Sequence, residues 1–211
     1  MRRFRRKYYD LFSLVYDQVI ALHSRDKRAF LRRFLLQKAG VKEDTWLLDL
    51  CTGTGAVALA ATEIISPQGR IVGLDFSQGM LKRAREKAQK VSHPGLLFVL
   101  GQAGELPFAS RTFDVVTCSH AMYELDPSTR ENTLREVRRV LRRGGCFAMM
   151  EHCEPKSPLG RFFYYLRLAS MGSTENRAFA QDERPFLKRY FRRVEKILSP
   201  SKGSKLLLAY V

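Results

Sequence analysis

Asp49-Leu50-Cys51-Thr52-Gly53-Thr54-Gly55 follows the apolar run Trp46-Leu47-Leu48 and leads into the alanine-rich Ala56-Val57-Ala58-Leu59-Ala60-Ala61. A short buried run, a glycine-rich turn and a helix-favouring segment read as strand, tight loop and helix. Gly53 and Gly55 permit a sharp turn and a close ligand approach that a Cβ would block. No Gly-Lys-Ser/Thr follows, so the loop is not a phosphate-cradling Walker sequence, and Cys51 stands where a G-x-G-x-G pattern would begin.

The same alternation continues outward. Arg70 to Leu74 is a second buried strand, followed by a helix capped by Ser77 that carries Met80, Leu81, Ala84 and Ala88. Leu96–Leu100 and Phe113–Cys118 read as the third and fourth strands. Asp126-Pro127 then starts a helix that runs through Leu134, Val137, Val140 and Leu141 to a stop at Gly144-Gly145. Cys146–Met150 is a fifth strand, and residues 193–198 and 205–211 form a terminal hairpin. Upstream, residues 8–22 and 25–39 read as two helices, the second closed by Gly40. Near-continuous apolar strands between amphipathic helices predict a doubly wound, Rossmann-like α/β fold. Its seven-stranded sheet is mostly parallel, with an antiparallel C-terminal hairpin and N-terminal helices. The expected division is one domain over 1–211: a helical N-terminal lid (1–44), a cofactor-binding core (45–152), a substrate-side insertion (153–190) and the hairpin (191–211).

In such folds ligands bind beyond the carboxyl ends of the strands. Asp75 lies just past the second strand, 20 positions beyond Gly55, where a carboxylate accepts hydrogen bonds from ribose hydroxyls. Glycine loop and carboxylate together imply an adenosine-containing ligand; NAD and S-adenosylmethionine both satisfy them.

Five segments resemble, in order and spacing, the motifs of class I S-adenosylmethionine-dependent methyltransferases. They are residues 47–55, residues 72–81 (Val-Gly-Leu-Asp-Phe-Ser-Gln-Gly-Met-Leu), Leu106-Pro107-Phe108, residues 112–116 (Thr-Phe-Asp-Val-Val) and residues 136–145. Within that superfamily, residues 8–155 are most similar to the ubiquinone/menaquinone C-methyltransferases, the UbiE-like group. The resemblance implies S-adenosylmethionine as methyl donor and S-adenosylhomocysteine as product. It assigns Asp49, Cys51, Gly53 and Gly55 to the methionine side, Asp75 to the ribose, Phe76 and Met80 to the adenine face, and Gln102 with Ala103 to the adenine edge. Ser119 and His120 fall near the sulfonium. Tyr16-Asp17 resembles the Tyr-Asp pair of the N-terminal lid, and Tyr9-Asp10 offers a second register. Two positions depart from the pattern: Cys51 replaces the usual first glycine, and Gln102 stands where an acidic residue is common.

A sulfonium methyl is already electrophilic, so such an enzyme must align nucleophile, methyl and sulfur, exclude water and in some cases remove a proton. A ring hydroxyl or an amine becomes a better nucleophile beside a base. His120 and His152 are the candidate bases and Tyr123 an orienting hydroxyl, all on carboxyl-end loops; hydrogen-bonded structural histidines are the plainer alternative. The chemistry requires no metal. Cys51, Cys118 and Cys153 also fall towards this edge, where small buried thiols are the expected reading and thiol capture of arsenite the rival one.

The 211 residues carry a net charge of +16. The excess is terminal: +7 over residues 1–44, +3 over 45–150 and +6 over 151–211. A basic periphery suits an anionic partner such as acidic lipid headgroups, RNA or an acidic substrate, or else is simply solvated helix surface. Residues 157–169 interleave aromatic and aliphatic side chains with Arg161 and Arg167, an apolar wall with basic edges. That wall suits a lipid-tailed acceptor, a quinol ring carbon or an aminolipid amine, taken from an anionic membrane surface. Absence of a membrane-length apolar run, of a signal-type leader and of C-x-x-C pairs predicts a cytoplasmic protein with reduced thiols, peripheral to a membrane at most. The rival functions are an RNA methyltransferase and a non-catalytic cofactor-binding scaffold. Against RNA, the chain shows no appended RNA-binding motif, and Ser119-His120-Ala121-Met122 replaces an Asn-Pro-Pro-Tyr-like tetrad.

Overall fold

A computed structural model describes Asp10 and residues 30–170, 182–200 and 203–211. In chain order the elements are α1 (Phe30–Lys38), β1 (Trp46–Leu50), α2 (Ala56–Ala61), β2 (Arg70–Asp75), α3 (Gln78–Ala88), β3 (Leu96–Leu100) and β4 (Phe113–Ser119). A 3₁₀ turn (Met122–Glu124) precedes α4 (Pro127–Val140), β5 (Leu141–His152), α5 (Pro158–Ser170), α6 (Arg184–Leu187), β6 (Arg193–Leu198) and β7 (Ser204–Tyr210).

The seven strands form one sheet in the order β3-β2-β1-β4-β5-β7-β6. β1 to β5 pair in parallel, and β7 runs antiparallel between β5 and β6. The strand order reverses between β1 and β4, which opens a crevice at their carboxyl ends. The doubly wound sheet with its antiparallel hairpin is the architecture expected from the apolar runs.

Alternation along the strands divides the core in two. Leu48, Leu50, Val72, Leu74, Val116, Cys118, Phe147 and Met149 face α4, which contributes Leu134, Val137 and Val140. Leu47, Ile71, Val115, Ala148, Met150, Leu206 and Leu208 face α1 and α2. Both faces are therefore covered, and function is left to the strand ends.

Local signals set the helix ends. Ser77 accepts the Met80 amide as N-cap of α3, and Asp126 accepts the Thr129 amide at the head of α4, with Pro127 next. α4 stops at Val140, before the expected Gly144-Gly145 stop. Leu141 is already extended (φ −72°, ψ 138°), and the β4–β5 register slips between Phe113 and Val115, so residues 141–145 form a bulged entry to β5. The expected helix over 8–22 and most of the lid lie outside the described residues, as does Tyr16. No helix among the described residues is long and apolar enough to cross a membrane.

Candidate active site

The loop after β1 turns through three left-handed residues: Cys51 (φ 53°), Gly53 (φ 55°) and Gly55 (φ 81°). Gly55 is required twice, by its φ and because a Cβ there would meet Phe98 at 3.0 Å and Ala84 at 3.1 Å. Among the described residues a Cβ on Gly53 would meet nothing within 4 Å, so its Cα borders open space. Cys51 holds the left-handed conformation without being glycine, which costs roughly 1–2 kcal/mol. The neighbouring Cys51 thiol and burial together raise the pKa of Cys118, one residue before the end of β4, well above its ordinary value.

Two buried carboxylates support the loop. Asp49 accepts the Thr52 hydroxyl at 2.6 Å and the Thr117 hydroxyl at 2.8 Å, joining β1, its loop and β4. Burial pushes its pKa up to about 6, against the lowering effect of those hydroxyls. Asp75 accepts the Gly53 amide at 2.8 Å on one oxygen and the Ser77 amide at 2.9 Å on the other, so the ends of β1 and β2 are tied together through its carboxylate. Burial raises its pKa as well. A carboxylate has about four acceptor positions, which leaves capacity for a ligand hydroxyl. The open face at Gly53 beside this acceptor fits the sugar and methionine portions of S-adenosylmethionine.

Around that crevice Phe76 is half-buried and Met80 buried, both at the head of α3. Across it, past β3, Gln102 is exposed and Ala103 nearly buried, in a turn closed by a Gln102–Glu105 bridge. From the N-terminal segment, Asp10 reaches α3: one oxygen accepts the Ser77 hydroxyl at 2.6 Å and the Gly79 amide at 2.9 Å.

At the ends of β4 and β5 the two candidate histidines meet. Their ring centroids are 4.2 Å apart, at an interplanar angle of 38°. His120 sits in the left-handed region (φ 56°), with its amide on the Met150 carbonyl at 2.7 Å. Its Nδ1 is 3.0 Å from Ser119 Oγ and its Nε2 3.4 Å from Ser204 Oγ. Strain of this kind, on the order of 1–3 kcal/mol in a non-glycine residue, is characteristic of functional positions.

Tyr123 is not part of that group. It is buried behind the 3₁₀ turn, and its hydroxyl donates to Glu183, a carboxylate with no exposure that also meets Lys205 at 2.5 Å and Lys196 at 3.5 Å. Burial and the two nearby glutamates, 183 and 151, push the Tyr123 pKa far up. Glu151, also buried, accepts the Met122 amide at 2.8 Å, and burial raises its pKa to about 8. Arg130 fixes the same turn from α4, donating to the carbonyls of Met122 (3.1 Å) and Leu125 (2.8 Å). Glu183, Lys205 and Arg130 were not singled out by sequence reading; charged residues inside amphipathic or basic segments give no sign that they are interior. Among the described residues no three His, Cys, Asp or Glu side chains gather as a metal site.

The profile of the ubiE/COQ5 methyltransferase family matches residues 5–193. A demethylmenaquinone methyltransferase of Shouchella clausii (strain KSM-K16) is 31% identical over 166 residues, 76% of this chain and 70% of the relative. One from Staphylococcus aureus (strain JH9) is 29% identical over 171 residues, 81% and 69% respectively. The crystal structure of a SAM-dependent methyltransferase from Aquifex aeolicus superposes with a TM-score of 0.66 at 18% identity, covering 92% of this chain and 96% of its own. That last likeness is one of fold.

Proposed function

The chain belongs to the ubiE/COQ5 methyltransferase family and is an S-adenosylmethionine-dependent methyltransferase, and from that premise we propose that its acceptor is a lipid-tailed quinol of the demethylmenaquinone type. The observation that carries the reading is the strained His120, packed against His152 beyond β4 and one strand from the glycine loop. The named activity of the two relatives supports the acceptor class.

The residues divide the work as follows. S-adenosylmethionine supplies an electrophilic methyl group on a sulfonium. Gly53, Gly55, Cys51 and Asp49 shape its methionine side, Asp75 accepts from the ribose, Phe76 and Met80 flank the adenine, Gln102 and Ala103 border its edge, and Ser119 lies beside the reacting end. His120 takes the proton from the ring hydroxyl, at Nδ1 or Nε2, so that electron density reaches the ring carbon to be methylated, and that carbon then loses its own proton to restore the aromatic ring; His152 packs against His120 and orients the imidazole. Tyr123 acts from behind, fixing the turn after β4 through Glu183.

The acceptor's tail is met by α5, whose Leu159, Phe162 and Leu166 are 67%, 61% and 53% exposed on one stripe. With Arg161 on the same helix and the terminal basic excess, this stripe suits an anionic membrane surface. The test is transfer of labelled methyl into a cell extract followed by phase partition. Label in the organic phase is the expected result; label confined to a nuclease-sensitive aqueous fraction would replace the quinol with RNA.

A further inference from the structure

A continuous series of hydrogen bonds runs from the N-terminal segment to the glycine loop. Asp10 Oδ1 accepts the Ser77 hydroxyl proton at 2.6 Å and the Gly79 amide at 2.9 Å. Ser77 Oγ accepts the Met80 amide at 3.2 Å, and the Ser77 amide donates to Asp75 Oδ1 at 2.9 Å. The Gly53 amide then donates to Asp75 Oδ2 at 2.8 Å. A serine hydroxyl has one proton, and here it goes to Asp10. Ser77 already caps α3, so the helix does not depend on a side chain brought from 67 positions upstream for its first turn. Bringing Asp10 close to Asp75 sets two carboxylates near one another, a cost offset by the amides at the helix N-terminus.

We propose that Asp10 is a positioning residue for the cofactor: it fixes Ser77, and Ser77 fixes the Asp75 carboxylate in the orientation that the ribose hydroxyls require. The proposal rests on the assignment of Asp75 to the ribose made above. It also gives the N-terminal segment a defined part in cofactor affinity, at a point the sequence left divided between Tyr9-Asp10 and Tyr16-Asp17.

The experiment is calorimetric titration of the full chain with S-adenosylhomocysteine, with the unligated melting temperature measured alongside. Asp10→Ala and Ser77→Ala should each raise Kd about tenfold, and Asp10→Asn, which keeps one acceptor oxygen, should raise it less. The double variant should be no weaker than Ser77→Ala alone, since both changes interrupt one path. A residue that only caps a helix would lower the melting temperature and leave Kd in place. Asp75→Asn separates the two readings. If it binds as tightly as the wild type, the ribose assignment falls and the proposal with it. If it loses binding while Asp10→Ala and Ser77→Ala stay within twofold of the wild type, the positioning role alone is refuted.

Discussion

Glu151 and His152 are adjacent in the chain and belong to opposite faces of the sheet. His152 pairs with Ser204 in the row after Met150 and Leu206, on the face of α1 and α2, whereas Glu151 pairs with Lys205 on the face that packs α4. The two adjoining histidines are thus separated by the sheet from the buried Tyr123–Glu183–Lys205 group, and the two sets should respond to substitution in different ways.

His120→Gln is expected to lower methyl transfer by about 10²–10⁴-fold, the usual contribution of a positioned base. His152→Gln should lower it less, and both should bind S-adenosylhomocysteine as the wild type does. Tyr123→Phe should lower the melting temperature with a smaller effect on transfer. Steady-state kinetics beside calorimetry separates these outcomes.

Glu151 should make stability fall as pH rises. Its folded pKa is about 8 against an ordinary 4.5, so between those values the folded protein holds a proton that the unfolded chain releases. The stability this group confers is complete below pH 4.5 and is lost as pH rises to about 8, by on the order of a few kcal/mol. Asp49, raised to about 6, adds to the slope only at the acid end. Glu151→Gln, which keeps an acceptor for the Met122 amide, should flatten the slope between pH 6 and 8 and stabilise the protein at pH 8. Urea unfolding at several pH values measures it.

The two loop glycines should fail differently. Gly55→Ala combines a left-handed φ with contacts of 3.0 and 3.1 Å, so it should destabilise the fold by about 2–4 kcal/mol. Gly53→Ala meets no atom of the described residues within 4 Å and should cost only about 1–2 kcal/mol of backbone strain. Its larger effect should be on S-adenosylhomocysteine affinity, because its Cβ would occupy the ligand side. Thermal unfolding with and without ligand distinguishes the two.

Lys205→Met should cost about 3–5 kcal/mol, because it leaves the Glu183 carboxylate buried beside the more distant Lys196. Adding Glu183→Gln should restore most of that loss. Additive losses in the double variant would contradict the pairing.

For the exposed stripe on α5, Phe162→Asp should reduce co-sedimentation with vesicles containing anionic lipid, and raised salt should weaken wild-type binding. Equal binding by the variant would remove α5 from the membrane contact.

Much of this was legible because it depends on local pattern. Trp46–Leu50 and Arg70–Leu74 are apolar runs ended by turn residues, and Ser77 and Asp126 are capping residues at the start of helical periodicity; each carries its own signal. A parallel sheet with helices on both faces follows from such runs; the order of its strands is seen only in the fold. The meeting of His120 with His152 follows from the register that sets Ser119 opposite Met150. What could not be read depends on distant pairing. Glu183, at the head of α6, joins Tyr123 across 60 positions and Lys205 on β7, and neither lysine nor glutamate in a basic segment looks interior. Asp10 and Asp17 follow tyrosines alike, and only the fold reveals Asp10 on Ser77. The end of α4 was read too late because the slip in register that extends Leu141 lies in its pairing with Phe113.

The most direct test of the central claim uses the purified full chain, S-adenosylmethionine and a chemically reduced demethylmenaquinone under anaerobic conditions, with the quinone product analysed by mass spectrometry. One methyl group should be added to the ring, at a rate that His120→Gln lowers at least a hundredfold. An unmodified quinol, from enzyme that binds S-adenosylhomocysteine normally, would contradict it.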